Sequence, residues 1–112
     1  MSKKYQLRER MFLNLDPELR AYAIAIVEDT SEIAIEKEND WKYPSIELRF
    51  ADCVDEISFS FYLCSREERE NSLHKIREIV RIVNSFREAL EIEAASMDER
   101  QSFIPLKAAA VH

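Results

Sequence analysis

SIELRFADCVDEISFSFYLCSREE, residues 45–68, changes its hydrophobic period once, and that change decides the fold. Ile46, Leu48 and Phe50 alternate with Ser45, Glu47 and Arg49. After ADCVDE, Ile57, Phe59, Phe61 and Leu63 alternate with Ser58, Ser60 and Tyr62. A period of two with one apolar face marks half-buried strands, so the stretch predicts an antiparallel β-hairpin over about 45–51 and 57–64. Only pairings whose positions sum to 107 or 109 put both apolar sets on one face. Either choice leaves a four-residue turn, 52–55 or 53–56.

The period then changes to that of a helix. Ser65 followed three residues later by Glu68 is a capping box, in which each side chain satisfies a backbone amide of the other. Leu73, Ile76, Ile79, Val80, Val83, Phe86, Leu90, Ala94 and Met97 recur at three- and four-residue steps, which predicts one amphipathic helix over about 66–98. Such a helix is roughly 50 Å long, against a radius of gyration near 13 Å for a compact domain of this size. Either it bends, with Asn84-Ser85 the expected place, or it packs on a second subunit. A lone hairpin also has unpaired edges that a partner's strand could cover. Both features predict a homodimer through the long helix and the hairpin edge.

Upstream the signals compete. Asp16-Pro17-Glu18 reads as a helix start, with a capping residue, a proline suited to the first turn and an acid that complements the helix dipole. Leu19, Tyr22, Ala23, Ile26 and Val27 share a helical face, so an N-terminal helix over 17–29 is the expectation. Its rival is a hairpin of YAIAIV with EIAIEK across Glu28–Ser31, which gives a four-stranded meander followed by the long helix. Residues 1–15 stay unassigned: Tyr5, Leu7, Met11, Leu13 and Leu15 share one parity as in a strand, yet a short helix also fits. Gln101–His112 reads as a tail, with Phe103, Ile104 and Leu106 as docking residues. The fold class is α+β, in a single domain spanning 1–112.

A chain of 112 residues, 46% of them hydrophobic, has room for one core. No stretch approaches the ~20 apolar residues of a membrane span, and the charged N-terminus is unlike a signal peptide, which predicts a soluble, cytoplasmic protein with no membrane partner. Cys53 at the hairpin turn and Cys64 at its open end are too far apart for a disulfide. There is no glycine. That excludes the glycine-based phosphate loops and predicts that tight hairpin turns needing positive φ are avoided. The net charge of −6 is uneven: residues 28–56 hold ten acidic and three basic side chains, which argues against a phosphate backbone meeting that surface.

Several constellations bear on chemistry. His74 and Glu78 lie four apart on the long helix, a two-ligand spacing that would need the acidic turn of Asp52, Asp55 and Glu56 to complete a metal set; an ordinary surface pair explains it as well. Cys53 is flanked by Asp52 and Asp55, whose charge works against a thiolate nucleophile, so no catalytic residue is assigned. Lys75, Arg77 and Arg81 form the basic patch of a nucleic-acid alternative. Trp41 and Tyr43, beside the acidic Glu36, Glu38 and Asp40, combine aromatic residues of the kind enriched in binding hot spots with a charged surround. The composite expectation is a small non-enzymatic protein-binding regulator or accessory subunit acting as a dimer, with no cofactor and no metal.

Overall fold

The computed structural model describes residues 3–16, 18–33 and 44–101. Four antiparallel strands precede one helix: β1 Lys4–Phe12, β2 Tyr22–Asp29, β3 Ile46–Asp52, β4 Asp55–Phe59 and α1 Arg66–Gln101. The strands form a meander in the order β1-β2-β3-β4, so the arrangement is α+β. The chain divides into two compact units, Met1–Ser72 and Leu73–His112.

The hairpin takes the first of the two permitted registers. Leu48 pairs with Phe59, Arg49 with Ser58 and Phe50 with Ile57, each pair summing to 107. The Phe50 and Phe59 rings meet edge to face, with centroids 6.3 Å apart, as their quadrupoles favour. The turn is tighter than the missing glycine suggests. Asp52 pairs with Asp55, leaving only Cys53 and Val54 between the strands. The Val54 amide donates to the Asp52 carbonyl at 2.5 Å, and Cys53 sits at φ 54°, so a residue with a Cβ occupies the left-handed region. β4 also ends at Phe59 rather than near 64. The next carbonyls serve the helix start instead of the ladder: Ser72 Oγ donates to Tyr62 O at 2.7 Å and Arg69 Nη1 to Leu63 O at 2.8 Å.

The N-terminal helix is not formed; residues 22–29 are strand β2. Asp16 does cap, but it caps a turn: its Oδ1 accepts from the Glu18 amide at 2.9 Å, and its carbonyl accepts from Leu19 at 3.1 Å. What overrides the start signal is the position of the segment at the centre of the sheet. β2 is paired on both sides, with β1 and with β3, so its backbone groups are taken up by the two ladders. Register places Ala23, Ala25 and Val27 on the face of Ile46, Leu48 and Phe50, and Tyr22, Ile24 and Ile26 on the other. A run that is apolar at every position satisfies helical and strand spacing alike. The four-stranded meander of the rival reading is the arrangement formed, with β1 from residues 4–12 pairing one edge of β2 and β3 the other; residues 34–37 of EIAIEK lie outside the described residues.

β1 carries a bulge. Tyr5 pairs with Glu28 but Leu7 pairs with Val27, so Gln6 is an extra residue, and Tyr5 and Leu7 fall on opposite faces despite their shared parity. The β1–β2 connection is closed by Leu13 N donating to Ala21 O at 2.8 Å and by Ala21 N donating to Asn14 Oδ1 at 2.9 Å. At the opposite end of β2, the Glu28 side chain is 6% exposed and accepts from the Ser45 amide at 2.7 Å, with Lys3 Nζ 3.7 Å away. Among the described residues only Ala21 and Ser72 are buried.

α1 begins as its capping box predicts. Glu68 N donates to Ser65 Oγ, and Ser65 N to Glu68 Oε1, both at 3.1 Å. Its 36 residues run unbroken through Asn84-Ser85 and take in Gln101, the first residue of the expected tail. Residues 102–112, with Phe103, Ile104 and Leu106, lie outside the described residues.

Candidate functional site

Within the first unit, the sheet has one apolar and one charged face. Leu7, Met11, Ile46, Leu48, Ile57 and Phe59 share the first by register. Leu7, Met11 and Ile57 on it are exposed. The second carries a network spanning three strands. Tyr22 Oη donates to Glu56 Oε2 at 2.9 Å, Arg49 pairs with Glu47, and Arg49 Nε lies 3.4 Å from Glu56. Arg10 lies over the Tyr22 ring at 5.6 Å and Arg8 over Tyr5 at 5.1 Å, within cation–π range. The Glu56 carboxylate raises the Tyr22 phenol above its ordinary 10.0, first through the hydrogen bond it accepts, then with help from partial desolvation. At the end of β2, the Ser31 hydroxyl and amide hold the Asp29 carboxyl below the usual range.

Three open cavities border this unit, of about 480, 620 and 330 Å³. The first lies along the β3–β4 exit, where Arg49 and Glu47 meet Phe59 and Tyr62. The second is formed by the β1–β2 connection around Phe12, Leu15 and Leu19. In neither do side chains converge as an acid, a base and a nucleophile. Among the described residues no three His, Cys, Asp or Glu side chains gather as a metal set. Cys53 and Cys64 are both exposed and not joined in a disulfide.

Within the second unit, exposed apolar side chains on the helix include Ile82 and Ile92 as well as a stripe. Val83, Phe86, Leu90 and Met97 are 56–66% exposed along one stripe, far from the buried state their side chains favour. Arg81 Nε holds Glu78 Oε2 at 2.8 Å and, by that bond and its charge, keeps the Glu78 carboxyl below the usual range; His74 adds a smaller pull. Glu78 is therefore engaged chiefly with Arg81 rather than poised with His74. Arg77 and Arg81, four apart, share a helical face, whereas Lys75 and Arg77 point about 160° apart at 100° per residue. The three basic residues do not make one patch. Glu36, Glu38, Asp40, Trp41 and Tyr43 lie outside the described residues.

Among the described residues, no helix is long and apolar enough to cross a membrane. Of the two edges the hairpin presents, the outer edge of β3 is covered by β2, so only β4 stays at the sheet border. β4 is five residues long and begins Asp55-Glu56, a short, charged edge of the kind that discourages pairing. The stripe on α1 is a separate exposed apolar surface. A feature that sequence reasoning passed over lies beside it: the helix is basic up to Arg87 and acidic from Glu88. The signal was present in the charge order, but a count that stops at Arg87 does not reach the acidic half beyond it.

No protein-family model matches this chain, and no curated protein or solved structure is significantly similar to it. Fold and surface define it by class, as an α+β chain whose antiparallel meander leads into one long helix with an exposed apolar stripe.

Proposed function

We propose that this chain is a small, non-enzymatic protein-binding module, a regulator or accessory subunit, that acts as a homodimer. The observation that carries the reading is the exposed stripe of Val83, Phe86, Leu90 and Met97 on α1. Contiguous exposed apolar surface of this kind marks interaction sites, because leaving it in water forfeits about 25 cal/mol for each Å² that a partner would cover. The reading assigns contact with another protein to Trp41 and Tyr43, with Glu36, Glu38 and Asp40 around them, on the strength of residue type.

Sedimentation equilibrium tests the dimer. The weight-average mass is expected to rise from 13.2 kDa toward twice that value with concentration, and V83K/F86K is expected to hold it at 13.2 kDa. A wild-type mass of 13.2 kDa at every concentration overturns the reading. Retention on heparin that falls with salt and with loss of Arg77 and Arg81 would favour the nucleic-acid alternative instead.

A further inference from the structure

We propose that residues 73–101 of α1 pair antiparallel with the same segment of a second copy, the two helices crossing near Arg87. The inference rests on the dimer reading above and specifies its geometry.

The stripe comes first. Ile76, Val83, Leu90 and Met97 stand seven residues apart, with Ile79 and Phe86 three residues after the first two. On a helix of 3.6 residues per turn these six fall within an arc of about 80°, the seam that a helix partner covers. Val83, Phe86, Leu90 and Met97 are all more than half exposed, so the seam is available to an occupant.

Charge selects the occupant and its direction. Residues 73–87 carry Lys75, Arg77, Arg81 and Arg87 against the single acid Glu78, a balance of +3 with His74 neutral. Residues 88–101 carry Glu88, Glu91, Glu93, Asp98 and Glu99 against Arg100, a balance of −4. The helix is thus complementary to its own reverse. A parallel pair in register sets the basic half of one helix along the basic half of the other and acidic half along acidic half, like charge on like. An antiparallel pair sets the basic half of each helix, 73–87, along the acidic half of the other, 88–101. The intrahelical pairs do not remove this preference. Arg87 lies 3.6 Å from Glu91, and Arg100 lies 3.0 Å from Glu93. All four of these side chains are more than 60% exposed, where a single ion pair is weak and readily exchanged.

The test is a distance between spin labels on the full chain, with Cys53 and Cys64 replaced by serine and one new cysteine at the exposed His74. In the antiparallel pair two labels at H74C stand about 39 Å apart along the axis, twice the 13-residue offset from Arg87 at 1.5 Å per residue. In a parallel pair they stand about 25 Å apart or less, given helix axes 8–10 Å apart. A label at R87C is expected to give a short distance in either arrangement and so reports that the pair forms. A short distance at both positions overturns the antiparallel arrangement and leaves the dimer reading standing. No dipolar signal at either position, with a monomeric mass, overturns both. Added salt is expected to weaken the antiparallel pair about tenfold between low and high ionic strength, because it screens attraction. Salt that instead strengthens pairing overturns the proposal.

Discussion

Tyr22 shows how much one residue's chemistry depends on its place in the ladder. Its hydroxyl donates to Glu56 across two strand pairings, and that bond favours the neutral phenol in the folded chain. A group whose folded pKa lies above its unfolded value contributes stability that is fully present below the unfolded value and is lost as pH rises through the folded one. Tyr22 is therefore expected to titrate above 10.0, and its contribution is lost only in that alkaline window. Phenolate absorbance checks this: E56Q is expected to return Tyr22 toward its ordinary range. An unchanged Tyr22 titration would count against the hydrogen bond. The residue scale also explains why the hairpin turn was misjudged. Absence of glycine removes the residue that takes positive φ without steric cost, but it does not remove positive φ itself, and Cys53 accepts that conformation so that Asp52 and Asp55 can pair.

At the scale of elements, the start of α1 is fixed twice, by the capping box and by the bond from Ser72 to Tyr62 O. Ser72 is 5% exposed, so removing its hydroxyl leaves a carbonyl without that donor in a poorly hydrated place. S72A is expected to cost about 1–2 kcal/mol in urea unfolding, since an unsatisfied buried polar group costs that much. S85A, at an exposed position of the same helix, is expected to be neutral or slightly stabilising because alanine is the better helix former. Equal stability of the two variants would remove the anchoring role from Ser72. The hairpin was legible to within two registers, because its alternation admits only sums of 107 and 109, and the helix start was legible from its capping box. β2 was not, because Ala23–Val27 is apolar at every position and Asp16 caps a turn as readily as a helix. β1 was half legible: its parity was visible, but the bulge that divides Tyr5 from Leu7 leaves no mark in composition.

For the whole molecule, the described residues bury little of their own apolar surface, with Ala21 the only buried hydrophobic residue among them. The dimer proposed above would make stability depend on concentration. The thermal midpoint is expected to rise with protein concentration, each tenfold increase adding about 1.4 kcal/mol per mole of dimer. A midpoint independent of concentration would mean that the folded chain does not need a second copy. The candidate interaction surface was only partly readable for the same reason. Apolar spacing announced the stripe on α1, but the charge order on which the proposed direction of pairing rests is a separate signal along the helix.

The bulge in β1 has a consequence of its own. Gln6 is the one residue in that strand without a cross-strand counterpart, and it works as a frame correction: everything before it is read in one frame of side-chain alternation, everything after it in the other. Deleting any paired residue of β1 inverts the faces on one side of the cut. Deleting Gln6 leaves every pairing as it stands, with Tyr5 still opposite Glu28 and Leu7 still opposite Val27. The strand therefore has one position at which its length can change without changing what either face presents.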